Sequence, residues 1–264
     1  MWPVLFSVFG APIQSFGVSK ALAAVISGII LGRSFQRMGL RRQTAHWLVL
    51  WATVWGFVGA KVYSLTGTRT SIGWSSLGGS GFVWYGGLIG GTVAVLIFCR
   101  RHGLQIGAVA GVIAAPLSLA YGIGRIGCLL SGDDTYGRPS DLPWAMAFPY
   151  GPIPVDVPVH PTQLYEAAGA FLIAALLSTL QRRVGAFTVF GTYLGLSGLA
   201  LLLVEFVRNN DPVFLGLTEV QMLSIASILI GLAMILVAHK QARRTEAAIR
   251  ATVAQGFGAH RAQL

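Results

Sequence analysis

Charged side chains are scarce in this chain, so the places where they gather carry information. The stretch AYGIGRIGCLLSGDDTYGRP, residues 120–139, sets Arg125 among Gly122, Gly124 and Gly127 and follows it with Asp133 and Asp134. A guanidinium binds a phosphate through two parallel hydrogen bonds, and glycines let a ligand approach the backbone closely. A salt bridge from Arg125 to Asp133 or Asp134 is the structural alternative. In SGFVWYGGLIGG, residues 80–91, Tyr85 stands before Gly86 and Gly87. Bare backbone there invites close packing, by a helix or by a lipid headgroup. In VHPTQLYEA, residues 159–167, His160 precedes Gln163 and Glu166. Those two are three apart and share one helix face. LLLVEFVRNND, residues 201–211, holds Glu205 and Arg208 at the same spacing. Both an ion pair within the helix and a glutamate that steadies a phosphate-binding arginine fit it.

The elements that hold these residues are set by hydropathy. The chain has 264 residues, 54% of them hydrophobic and 11% charged, with a mean hydropathy of +0.68. Soluble domains carry about 25% charged residues. Apolar runs of about 18 residues or more read as transmembrane helices. Seven spans are predicted, at 17–32, 47–66, 82–99, 105–123, 162–180, 187–206 and 218–238. The fold class is therefore all-α integral membrane.

Basic clusters orient the spans. RSFQRMGLRR follows span 1, CRR span 3, QRR span 5 and HKQARR span 7. The positive-inside rule then places the N-terminus outside and the C-terminus in the cytoplasm. Topology accounts for the formal net charge of +10, which does not point to nucleic acid. Asp133, Asp134, Asp141, Asp156, Glu166, Glu205, Asp211 and Glu219 all fall toward the outer face, and only Glu246 is cytoplasmic. Together they point to a polar site at the outer leaflet. The segment 124–161 is rich in proline and is expected to be an irregular outer loop. Residues 1–238 read as one integral membrane domain and 239–264 as a basic cytoplasmic tail forming a short helix near anionic lipid heads. The N-terminal stretch lacks the basic region of a signal peptide and reads as part of the mature protein. Cys99 and Cys128 are expected on opposite faces, which argues against a disulfide between them, and neither has metal-ligand spacing.

Taken together, the four stretches resemble the prolipoprotein diacylglyceryl transferases. GFVWYGGLIGG is similar to that family's aromatic-His-Gly-Gly-Leu-Ile-Gly segment, and GRIGCLLSGDDTYGRP to its Gly-Arg-x-Gly signature. HPTQLYEA resembles its His-Pro-Ser/Thr-Gln-Leu-Tyr-Glu motif, and VEFVRNND with LGLTEVQMLSI its Glu-Phe-Phe-Arg segment and last span. The resemblance implies a multi-pass enzyme of the bacterial inner membrane, without a cofactor. Such an enzyme takes diacylglyceryl from phosphatidylglycerol and attaches it to the lipobox cysteine of a secreted prolipoprotein, and glycerol phosphate leaves. It implies a phosphate role for Arg125; His160 and Tyr85 are the other candidate catalytic residues. Gly86, Gly87, Gly124, Asp133, Asp134, Gln163, Glu166, Glu205 and Arg208 are the expected substrate-binding residues.

The sequence departs from the family pattern at several polar positions. Tyr85 stands where the family has a histidine, Leu201 replaces its second key arginine, and Ser197 replaces a tyrosine. Cys128 replaces the signature asparagine and Phe16 a tyrosine. A phenol with a pKa near 10 is a poor base at neutral pH, so His160 is expected to take that role. Cys128 reads as a nucleophile or as a small buried filler. A member acting on another anionic phospholipid or another secreted acceptor remains an alternative, as does a non-catalytic lipid or peptide binder.

Overall fold

A computed structural model describes residues 2–8, 11–67, 84–133 and 135–261. An N-terminal hairpin, β1 (Val4–Val8) and β2 (Ala11–Gln14), leads into α1 (Ser15–Arg37). Then come α2 (Arg42–Gly67), α3 (Trp84–Arg101) and α4 (Ile106–Ser131). A second hairpin, β3 (Met146–Phe148) and β4 (Val155–Val159), precedes α5 (Thr162–Leu180), α6 (Ala186–Glu205) and α7 (Glu219–Arg261). The predicted span 162–180 coincides with α5. Among the described residues, six helices are long and apolar enough to cross a membrane. The exception is α3, whose 18 residues end in Arg100 and Arg101. Large apolar side chains stay exposed on these helices, Leu172 at 73% and Leu203 at 60% among them. A soluble surface does not carry that much apolar area, whereas lipid covers it at no cost. The chain is an integral membrane protein.

Helix α4 is the hub, packed against α1, α5 and α6, while α2 pairs with α3 and α6 with α7. One apolar cluster joins Leu31, Phe35, Leu48, Phe98 and Val109 near the α3–α4 turn. A second joins Ala114, Ala115, Ile173, Leu177 and Val189 between α4, α5 and α6. Pro116 lies inside α4, where it cannot donate to the carbonyl one turn back. Serines brace that region: Ser27 donates to the Pro116 carbonyl at 3.0 Å and Ser118 to that of Ala170 at 2.8 Å.

Two expectations are corrected. The loop does not begin at 124, because α4 remains helical to Ser131 and so places Arg125 on a helix. The glycines around Arg125 are buried against side chains: Gly122 against Phe171 and Gly127 against Ser19. Small residues at such contacts are common in membrane helices. The helix stops at Gly132, whose left-handed backbone (φ 66°) returns its N–H to the Cys128 carbonyl. Nor is the loop irregular throughout. Besides β3 and β4, the backbone of residues 137–139 bridges to Arg208 on one side and Val159 on the other. The α7 helix runs without a break from Glu219 to Arg261.

Candidate functional site

The loop backbone holds the ends of α4, α5 and α6 in register. Gly137 N–H donates to the His160 carbonyl at 2.9 Å, His160 N–H to Arg138 at 3.1 Å and Arg138 N–H to Val207 at 2.9 Å. The Arg138 side chain reaches the Arg208 carbonyl at 3.2 Å. Thr162, at the start of α5, donates its hydroxyl to the Thr135 carbonyl. These bonds carry Arg125, Glu166 and Arg208 to one point.

Glu166 is the centre of that point, with a side chain only 2% exposed. Its Oε2 pairs with Arg125 Nε at 2.7 Å and accepts a bond from Tyr121 Oη, and its Oε1 pairs with Arg208 Nη2. Arg125 Nε also lies 3.0 Å from Tyr121 Oη, and its Nη1 lies 3.4 Å from Thr135 Oγ1. Isolated buried charges are costly, and pairing two guanidinium groups on one carboxylate is what lets all three stay there. The structural alternative for Arg125 was a salt bridge to Asp133 or Asp134, and its carboxylate partner among the described residues is Glu166. Asp133 instead accepts from Thr135 Oγ1 at 2.6 Å and from Gln163 Nε2 at 3.0 Å. Asp134 lies outside the described residues.

Glu205 anchors the third corner. Its Oε1 accepts from Thr218 Oγ1 at 2.6 Å and Asn210 Nδ2 at 2.7 Å, while Oε2 stands 3.9 Å from Arg208 Nη1. Thr218 in turn caps α7. Its hydroxyl accepts from Gln221 N–H at 3.2 Å, and Gln221 Oε1 accepts from Thr218 N–H at 3.1 Å. That reciprocal pair is a capping box. The expected Glu205–Arg208 pair is therefore the weaker half of a larger arrangement, in which Arg208 leans on Glu166.

Asp133 sits beyond the end of α4. Burial pushes its carboxyl up, but hydrogen bonds from Cys128, Thr135 and Gln163, with Arg125 nearby, outweigh burial and hold it below the usual carboxylate range. Cys128 thus points its thiol at a carboxylate, inside the same cluster.

Other expected residues lie elsewhere. His160 Nδ1 is 3.1 Å from Tyr165 Oη, which accepts from Trp144 Nε1 at 2.8 Å. This is a separate polar chain on the loop side of α5. Gly86 and Gly87 turn their bare faces to α2: a side chain at Gly86 would meet Gly59 and Tyr63, and one at Gly87 would meet Gly56 and Ala60. They serve helix packing rather than an open ligand surface. The side chain of Tyr85 lies outside the described residues. Gly124, by contrast, faces the Lys20 ammonium.

Tyr121, Thr135 and Lys20 were missed from the sequence. Tyr121 stands four residues before Arg125, the spacing of a shared helix face, and that signal was available. Lys20 is a lone lysine in an apolar span, a second signal. Thr135 has no such mark.

This arrangement suits a phosphate: a cation pre-oriented by a carboxylate, at one end of lipid-facing helices. A family model described as prolipoprotein diacylglyceryl transferase matches residues 3–237. The chain belongs to that family. A phosphatidylglycerol–prolipoprotein diacylglyceryl transferase of Clostridium tetani is 30% identical over 239 residues, covering 88% of this chain and 96% of its own. The protein of that name from Nitrobacter winogradskyi is 34% identical over 250 residues, 84% of each chain. That from Cereibacter sphaeroides is 35% identical over 268 residues, 90% of this chain and 81% of its own. The match to the transferase family spans every member of the cluster, from Tyr121 to Gln221.

Proposed function

We propose that this chain transfers the diacylglyceryl group of phosphatidylglycerol to the lipobox cysteine of a prolipoprotein. The convergence of Arg125 and Arg208 on buried Glu166, at one end of apolar helices, carries the reading. Family membership fixes the reaction class. The acceptor sulfur bonds to the glyceryl carbon next to the phosphate, the carbon–oxygen bond breaks, and glycerol phosphate leaves with the electron pair. The thiol proton passes to a base. Negative charge builds on the departing phosphate, and fixed cations aimed there lower the barrier.

Arg125 is the residue proposed to touch that phosphate. Its Nε is spent on Glu166 and Tyr121, which fixes the guanidinium plane, and its side chain keeps 16% exposure. Glu166 is a positioning residue that acts through both arginines, and Gln163 and Asp133 hold the turn after α4. Arg208 is more deeply buried and contributes field rather than reach. His160 is the proposed base, oriented by Tyr165, and Tyr85 on α3 is the third proposed catalytic residue. The finer topology belongs to the same proposal: seven spans, counting α3, an outer N-terminus and a cytoplasmic C-terminus, with the cluster at the outer leaflet of the bacterial inner membrane. Residues 1–238 form the integral unit, and 239–264 extend it as a basic tail.

The test reconstitutes the purified chain in vesicles of phosphatidylglycerol with a lipobox peptide. The peptide should gain the mass of one diacylglyceryl group as equimolar glycerol phosphate appears. A folded protein that retains phosphatidylglycerol yet yields neither product would make it a lipid binder. Tyr85 in place of histidine is the observation that favours a different acceptor. Failure to complement a strain depleted of the standard enzyme, with transfer to other thiols intact, would establish that second reading.

A further inference from the structure

We infer that Lys20 holds the phosphate of an anionic lipid at the lipid-facing edge where α1 packs on α4, and so selects the lipid donor. The inference rests on the proposed lipid-dependent reaction. Lys20 lies in the first half of α1, within a span, yet its side chain is exposed on the bare protein. An ammonium in a lipid-facing position needs an anion or a route to water. Among the described residues no carboxylate lies within 4 Å of it: the ion pairs there join Arg125, Arg208, Glu166 and Glu205 to one another. What Lys20 does touch orients it. Its Nζ stands 5.0 Å from the centre of the Phe16 ring, one turn earlier. On the other side it meets the bare backbone of Gly124, where an added side-chain carbon would lie 3.0 Å from Nζ. The ammonium also lies within electrostatic reach of Arg125, Cys128 and Asp133.

Two cations therefore share the α1–α4 edge. Arg125 is locked from behind by Glu166 and Tyr121, and its Nη2 makes no hydrogen bond among the described residues. Lys20 is held on the lipid side without a carboxylate within 4 Å among the described residues. The anion that a surrounding lipid offers at this depth is its headgroup phosphate, and an ammonium binds phosphate as a point charge. A lipid of net negative charge meets two attractive groups. A zwitterionic lipid must also bring its own ammonium up to both, and that repulsion rejects it. Lys20 is thus a donor-binding and specificity residue, distinct in position from the Glu166-centred cluster deeper in the fold.

The experiment compares wild type, Lys20→Met and Lys20→Arg in vesicles of phosphatidylglycerol diluted with phosphatidylcholine. Lys20→Met should raise the apparent KM for phosphatidylglycerol about tenfold while kcat falls by less than about threefold, and Lys20→Arg should recover most of the loss. A second readout is independent of turnover. Native mass spectrometry from mixed nanodiscs should show phosphatidylglycerol enriched on wild type and Lys20→Arg but not on Lys20→Met. Lys20→Gln serves where Lys20→Met does not melt cooperatively. Unchanged KM with unchanged enrichment overturns the inference, as does a loss confined to kcat. Soluble glycerol phosphate, added as competitor, separates the sources of phosphate: weakened inhibition with an unaltered lipid KM would assign Lys20 to the departing product and overturn it. Enrichment that depends on Lys20 in a protein that transfers nothing would instead sink the proposed reaction and leave the lipid site standing.

Discussion

Two glycine-rich helix segments looked alike in sequence and do different work. In α3, Gly86, Gly87 and Gly90 back onto α2 so closely that backbone meets backbone, with a side-chain carbon at Gly90 only 3.0 Å from Gly59 Cα. In α4, Gly122, Gly124 and Gly127 face the side chains of Phe171, Lys20 and Ser19. The first segment gives a tight helix pair in which backbone packs on backbone. The second makes room beside Arg125 for a second cation. Glycine spacing reports that something comes close, and the neighbouring helix decides whether that is a backbone or a charge.

The comparison breaks most visibly at the charged helix. Arg125→Ala should lower transfer by about 100- to 1000-fold, the scale of removing one fixed charge-stabilising donor. Stability should fall less than activity, because Glu166 keeps Arg208. Glu166→Gln should behave differently. It leaves two guanidinium groups facing each other at a buried point, a change that costs about 3–5 kcal/mol. Activity and melting temperature should drop together there. Assaying both variants for transfer and for thermal unfolding in detergent distinguishes the residue that touches phosphate from the one that positions it. Equal stability losses would mean that Glu166 is no hub.

The two glycine segments can be set against each other directly. At Gly86 an added carbon meets the Gly59 carbonyl group and Tyr63 Cβ, none of which can swing away. Gly86→Ala should therefore destabilise by about 1–3 kcal/mol, the usual range for overpacking. At Gly124 the same carbon meets only the far end of Lys20, which is free to move. Gly124→Ala should be stabilising by up to about 1 kcal/mol from helix propensity, and it should raise the lipid KM by displacing the ammonium. Detergent melting curves and donor titrations read these two effects. A destabilising Gly124→Ala beside a harmless Gly86→Ala would reverse the assignment of the two faces.

Hydropathy made the frame legible. The apolar runs placed the helices, and span 162–180 fell on α5, because lipid demands long apolar helices whatever their tertiary partners. The extent of α4 was not legible. Gly122, Gly124 and Gly127 argue against a helix when read locally, and only burial against α1 and α5 keeps them helical. For the same reason the salt-bridge alternative for Arg125 looked to the nearby loop carboxylates, and the partner is Glu166, 41 residues further along the chain. Spacing rules see partners three or four residues away. The Arg125–Glu166–Arg208 contact joins three helices, and its warning in the sequence was only that charges are rare and that these ones cluster toward one face. Gln163 and Glu166 were read correctly as a shared face because that relation is local to α5.

The smallest effect concerns Asp133, the carboxylate that arginine did not claim. Hydrogen bonds from Cys128, Thr135 and Gln163, with Arg125 nearby, overcome its burial and hold its carboxyl below the ordinary range. A carboxyl depressed in the fold stabilises the fold wherever it is ionised in both states, and that contribution starts to fade once the unfolded carboxyl, near pKa 3.9, takes up its proton. It is gone once pH falls through the lower folded value. Asp133→Asn removes the titration and keeps the shape. The wild-type advantage in melting temperature over Asp133→Asn should be flat from neutral pH down to about pH 5 and shrink below about pH 4. An advantage that grew on acidification would mean that burial, and not the hydrogen bonds, governs this carboxyl. Asp133 would then be a strained neighbour of Lys20 rather than the brace of the turn behind Arg125.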